Sequence, residues 1–291
     1  MSPVGSLPAR YPFTDSGTGE RDDPLPVVFI HGLWLHASSW DAWIELFRDR
    51  GYDAMAPGWP GEPGSLTAAN AFPGPMARTG VGEALAHYEG FIAGLRRPPV
   101  LVGHGLGGLL AQQLLAGGMA AGAAAISPIR FRGVLRPAPA QLRSALPVLW
   151  NPLNRRRILR QSPQHFHRDV ANTVSERESN DLHATCVMPA PGRPLFQSAA
   201  ANLNPFSPVR VDTAAARGPL LLAGASEDRT VPASVVRAAA RRYRSSASST
   251  EYAEIGGSGH SLVIDHGWRI TAETVLAFLS RHGLTPEAED R

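Results

Sequence analysis

The longest uncharged stretch of this chain, Leu101 to Ser127, limits its fold most, because it holds no Asp, Glu, Lys or Arg. As one helix it would be long enough to cross a bilayer. Seven glycines, two glutamines and a histidine divide it into a short β-rich run, a Gly-rich turn and a helix-like segment. Strands of a parallel sheet, covered on both faces, read as continuous apolar runs of this kind. The stretch predicts the buried centre of an α/β sheet, and no membrane partner.

The rest of the chain fits that reading, since short apolar runs alternate with helical patterns as in βαβ units. Strands are expected at Pro26–Ile30, Asp53–Ala56, Pro99–Val102, Ala123–Ile126, Pro219–Ala223 and Glu251–Ile255. Helices are expected at Ser39–Arg50, Val81–Leu95, Leu106–Leu115, Ala233–Tyr243 and Trp268–Ser280. In the first of these Trp40, Trp43, Ile44 and Phe47 recur three and four apart, so one face is apolar. Between Ser127 and Asp212 the alternation stops, in a segment rich in Pro, Arg, Asn and Gln. A structureless loop of that length is improbable inside a domain. The organisation predicted is therefore a core of residues 1–126 and 213–291 with a helical cap inserted at 127–212, one of its helices at Asp169–Glu178.

Composition excludes several classes of function. Apolar residues make up 43% and charged residues 18% of 291, the balance of a folded chain large enough for a buried site. All 28 basic residues are arginine, scattered apart from Arg155 to Arg157 and the group Arg241, Arg242 and Arg244. Neither group is interleaved with aromatics that would stack on bases, so both read as solvated surface and no nucleic-acid partner is expected. The single cysteine, Cys186, cannot close an internal disulfide, and the first residues lack the apolar run of a secretion signal. A cytoplasmic chain is expected. His, Cys, Asp and Glu spacings predict no metal site, and no dinucleotide fingerprint opens the first βα unit, so no cofactor is expected. The sequence leaves the oligomeric state open.

Four motifs sit where chemistry needs them: HGLW (His31 to Trp34) after the first strand, GHGLG (Gly103 to Gly107) between strand and helix, and the loops GASEDRTVP and GGSGHSLVIDHGW. Together they resemble the α/β-hydrolase fold family, specifically its small cap-bearing serine hydrolases, along nearly the whole chain. The family's elbow motif reads G-x-S-x-G, and its chain order is nucleophile, acid, base. Gly103 and Gly107 match the flanking glycines. Glycine, Gly105, stands where the family has its serine.

The resemblance implies His260 as general base and Asp228 as the carboxylate that orients it, with Glu227 and Asp265 as competing acids. It implies an oxyanion hole from the backbone N–H groups of Leu33 and Leu106. Trp34, His36 and Trp40 are candidates to line the pocket, although tryptophans at helical spacing are more often core. His31 is expected to be structural, His104 to lie behind the elbow, and Cys186 to be apolar filler and not a substitute nucleophile.

Without a hydroxyl at position 105 the acyl-enzyme route is closed. A His/Asp dyad and an oxyanion hole remain, enough for non-hydrolytic acid/base chemistry on an apolar small-molecule substrate: carbon-carbon bond formation, cyclisation or a lyase step. Two alternatives stay open: a serine ester hydrolase whose nucleophile is knocked out at Gly105, and a non-catalytic ligand-binding relative.

Overall fold

The computed structural model describes residues 24–135, 146 and 148–286. In chain order the elements are β1 (Pro26–Ile30), α1 (Asp41–Arg48), β2 (Asp53–Met55), α2 (Leu66–Ala71), α3 (Val81–Ala93), β3 (Val100–His104), α4 (Leu106–Ala116) and β4 (Gly122–Ile126). Then come β5 (Ile158–Leu159), α5 (Pro163–Asp169), α6 (Glu176–Cys186), β6 (Ala190–Pro191), α7 (Arg193–Ala199), β7 (Leu220–Ala225), α8 (Ala233–Arg242), β8 (Thr250–Ile255) and α9 (Trp268–Arg281).

Six strands form one sheet in the order β2-β1-β3-β4-β7-β8, and every described pairing in it is parallel. Alternate residues of each central strand feed two cores, as the two-residue period of a strand requires. Val27, Phe29, Val102 and Ala124 face the core that α1 and α9 cover, while Val28, Ile30, Leu101 and Ala125 face the core covered by α3, α4 and α8. Burial on both faces explains why β1, β3 and β4 read as unbroken apolar runs. On the first face Phe29 stacks among Trp40, Trp43 and Phe47, with ring centroids 5.0, 6.0 and 5.2 Å from its own. Contacts of this kind add about 0.5–1.5 kcal/mol each beyond simple burial.

The order places β2 on one side of β1 and β3 on the other, so the winding direction reverses between β1 and β3. Ligands of open α/β sheets bind at such a reversal, in the crevice outside the carboxyl ends of the strands. His31 follows β1 and Gly105 follows β3, so the sequence motifs lie at this crevice.

Two expectations need correction. The predicted first helix begins with a 3-10 turn, Ala37–Trp40, before α1, because the His36 side chain accepts the Ser38 N–H and caps the tighter turn. The helix expected at Asp169–Glu178 is instead the junction of two helices. The Ser162 side chain accepts the His165 N–H to start α5, and the Ser175 side chain accepts the Glu178 N–H to start α6, leaving 170–175 as a turn. The periodicity runs across the junction, and two serine caps override it. A further short helix, α2, capped by Ser65, lies between β2 and α3, where no helix is expected from the sequence. The antiparallel pair β5/β6 belongs to the excursion between β4 and β7.

Candidate active site

Gly105 has φ 55° and ψ −113°, a backbone conformation strained for any side chain, at the tight turn from β3 into α4. Its neighbours are glycine for a different reason. A Cβ on Gly103 would collide with the Gly107 carbonyl, and one on Gly107 with the Ile30 carbonyl, so α4 packs backbone to backbone against β3 and β1. A Cβ on Gly105 would meet only ordinary contacts, 3.5 Å from His260 Nε2 and 3.7 Å from Gly32 Cα. The elbow thus has room for a side chain but a backbone that penalises one.

His260 and Asp228 come together at 2.7 Å between Nδ1 and Oδ2, both side chains buried. The other carboxylate oxygen accepts the N–H groups of Thr230 and Val231 at 2.8 and 2.7 Å, so the carboxylate is fixed before it meets the ring. With Nδ1–H donated to Asp228, the Nε2 lone pair of a neutral ring is turned to the space at Gly105. Of the competing acids, Asp265 accepts from the Ser261 hydroxyl at 2.6 Å, and Glu227 lends its backbone carbonyl to the Asn172 amide.

His104 lies against His260, with ring centroids 4.5 Å apart and its Nε2 3.0 Å from the His260 carbonyl. Burial, and then the neighbouring His260, hold its pKa well below the usual histidine range. A neutral His104 therefore donates Nε2–H and braces the His260 backbone.

Leu33 and Leu106 flank the elbow. Leu106 opens α4, where the N–H has no acceptor within the helix, and Gly32 reaches the elbow from the β1 side. Trp34 stands at φ 68°, unusual for so large a residue. It is held there by the excursion: Met188 N–H donates to the Trp34 carbonyl, Leu35 bridges Val187, and His36 N–H donates to the Cys186 carbonyl. The Trp34 indole N–H is buried with no protein partner. Trp40 lies in the aromatic core, 1% exposed, as its helical spacing alone would have it. The His36 ring contacts the Ser38 hydroxyl and the Pro63 carbonyl. Burial raises the Cys186 pKa, so its thiolate is disfavoured.

Two groups went unnoticed in the sequence. Glu62, 1% exposed, accepts N–H groups from Ala37 and Trp59, and its Oε2 lies 2.8 Å from His31 Nε2, close but not aligned as a hydrogen bond. Burial alone would raise its pKa, but the charge the His31 ring can carry and the backbone donors outweigh that and hold it at about 2. Glu62 thereby ties the loop after β1 to the loop after β2. The second group is the 170–175 turn. Thr173 accepts the Gly259 N–H, the Val170 carbonyl accepts the Ser261 N–H, and the Asp169 carbonyl accepts the Thr230 hydroxyl. One turn of the excursion therefore pins the loops of both Asp228 and His260. Neither group carries a sequence signal, because both bond chiefly through backbone atoms of distant segments.

Among the described residues no cluster of three or more His, Cys, Asp or Glu could hold a metal, and no helix is long and apolar enough to cross a membrane.

A parallel doubly wound sheet with an elbow, an imidazole and a carboxylate at its reversal point defines the α/β-hydrolase class, and a model of the Alpha/beta hydrolase family matches residues 27–274. The chain belongs to that family. No curated protein sequence matches it. Among solved structures it is similar to a monoacylglycerol lipase from Paleococcus ferrophilus, at 20% identity and TM-score 0.62, covering 88% of this chain and 94% of that one. It is also similar to tomato Methylketone Synthase I complexed with 2-tridecanone, at 16% identity and TM-score 0.64, covering 89% and 99%. A variant of the same tomato enzyme complexed with beta-ketoheptanoate matches at 16% identity and TM-score 0.62, covering 89% and 98%. Likeness at these identities establishes the shared fold.

Proposed function

We propose that this chain is a cofactor-free enzyme in which His260, oriented by Asp228, moves protons on an apolar small molecule beneath an oxyanion hole of the Leu33 and Leu106 N–H groups. The observation that carries the reading is the orientation of His260: Nδ1 is tied to a carboxylate, while Nε2 lies 3.5 Å from where a Cβ on Gly105 would stand. With no side chain at that position, a substrate group can take its place and meet the base directly. Residues 127–212 act as the cap over this end of the sheet. Trp34 lines the pocket and offers its unpartnered indole N–H to the substrate, with His36 and Trp40 supporting the same wall from behind.

The reaction class is non-hydrolytic, and decarboxylation of a β-keto acid is its most concrete form. The bond between Cα and the carboxylate breaks, carbon dioxide leaves, and the electron pair passes into the carbonyl as an enolate held by the two N–H groups. Protonated His260 then gives Cα its proton and is recharged from solvent. The tomato enzyme matched above, captured with a β-keto acid and a methyl ketone, supports choosing this substrate class for the first test. The test is gas chromatography of methyl ketone formed from beta-ketoheptanoate. Turnover by the wild type that is lost in His260→Ala supports the reading, and turnover that survives in His260→Ala contradicts it.

One observation favours a second reading, a serine ester hydrolase disarmed at Gly105. A Cβ at this position would stand 3.5 Å from His260 Nε2 in ordinary contact, which would bring a serine hydroxyl carried on it within reach of the ring. On that reading the wild type has no reaction of its own, and Gly105→Ser hydrolyses nitrophenyl esters rapidly.

A further inference from the structure

The excursion between β4 and β7 holds a cavity of about 360 Å³, lined by Arg155, Arg156, Arg193, Phe196, Gln197 and Asn204, among others. None of its lining residues belongs to the candidate active site. The volume lies at the small end of ligand pockets, enough for a compact organic molecule.

Among the described residues its wall contains no carboxylate. Arg193 is neutralised locally, donating to Glu83 and to the Arg78 carbonyl. Arg155 and Arg156, adjacent in the 3-10 turn Pro152–Arg156, have neither an ion pair nor a hydrogen bond among the described residues. The polar neighbours are set the same way. The Gln197 side-chain oxygen accepts the Val81 N–H and that of Asn204 accepts the Phe206 N–H, so both amides have only their NH₂ groups to offer. Ser207 likewise accepts the Val209 N–H, leaving its hydroxyl hydrogen for donation. The cavity therefore presents two guanidiniums with no ion pair among the described residues, several donors, and the half-buried side chain of Phe196.

Both arginines line the cavity, and an anion with several acceptor oxygens can take charge-assisted hydrogen bonds from each. A carboxylate would leave most of these donors idle; a phosphate monoester brings three oxygens and close to two charges. We infer that this cavity is a binding site for a phosphate monoester whose organic part lies against Phe196. The same chemistry is found in soluble phosphorylated metabolites and in the headgroup of phosphatidic acid.

The test is titration calorimetry of the full chain with inorganic phosphate and with phenyl phosphate, and co-sedimentation with phosphatidylcholine vesicles with and without phosphatidic acid. Both arginines are exposed, and a thermal melt verifies that the Arg155→Ala/Arg156→Ala double variant is folded. The inference expects phenyl phosphate to bind more tightly than inorganic phosphate, and the double variant to weaken it about tenfold or more. Phe196→Ala should abolish the preference for phenyl phosphate while inorganic phosphate still binds. Vesicle binding that requires phosphatidic acid and both arginines supports the site with a lipid source; phenyl phosphate binding without vesicle binding supports it with a soluble source. No binding of phenyl phosphate, equal binding in the double variant, or no preference over inorganic phosphate would overturn it.

Discussion

At the scale of single residues, position 105 combines room for a Cβ with a backbone angle that favours glycine. Gly105→Ser and Gly105→Ala should therefore both lose about 1–3 kcal/mol in urea denaturation, because the cost comes from φ and not from crowding. A loss confined to one of the two, or none, would show that the turn relaxes on substitution. Glu62 gives the second residue-scale prediction. A carboxyl whose folded pKa is about 2 contributes stability that is complete above its ordinary value, and that fades as pH falls from about 4.5 to 2. Glu62→Gln should be less stable than wild type at neutral pH, by on the order of 3 kcal/mol, and the difference should shrink across that acid window. A gap that does not change with pH would mean that shape, not charge, matters there. His260, Asp228 and Gly105 could be read in the sequence because each sits in a motif whose spacing fixes its place. Glu62 could not: it lies in a Gly/Pro loop, and its partners His31 and Ala37, on the loop after β1, are joined to it only by folding.

Among elements, the central strands were legible because burial on both faces leaves short unbroken apolar runs. The 170–175 turn was not, since apolar spacing continues through it and the two serine caps decide the break. The consequence is functional as well as topological, because this turn fastens the loops of Asp228 and His260. Thr173→Val keeps the size of the side chain but removes the acceptor of the Gly259 N–H, a loss of about 1–2 kcal/mol for a group left without a partner. Hydrogen exchange should speed up more at the Gly259 amide than at the amides of β1, which register only the global loss. Uniform acceleration would instead indicate general destabilisation.

For the whole molecule, one core joins the sheet to the excursion: Phe29, Val102 and Leu279 share a cluster with Phe166, Ala171, Val174 and Val187. Residues 127–212 were legible as a break in the βα alternation, but this shared core has no counterpart in local spacing. It predicts that the excursion melts together with the sheet, in a single calorimetric transition, and two separate transitions would contradict it. Such coupling means that the pinning of His260 involves both the sheet and the excursion, while its Nε2 has no hydrogen-bond partner among the described residues. Deuterium uptake at the α-carbon of straight-chain methyl ketones, incubated in heavy water and weighed by mass spectrometry, reports directly on what that nitrogen does. The account predicts uptake catalysed by the wild type and abolished in His260→Ala, and uptake no faster than in buffer, or unchanged by that substitution, would contradict it.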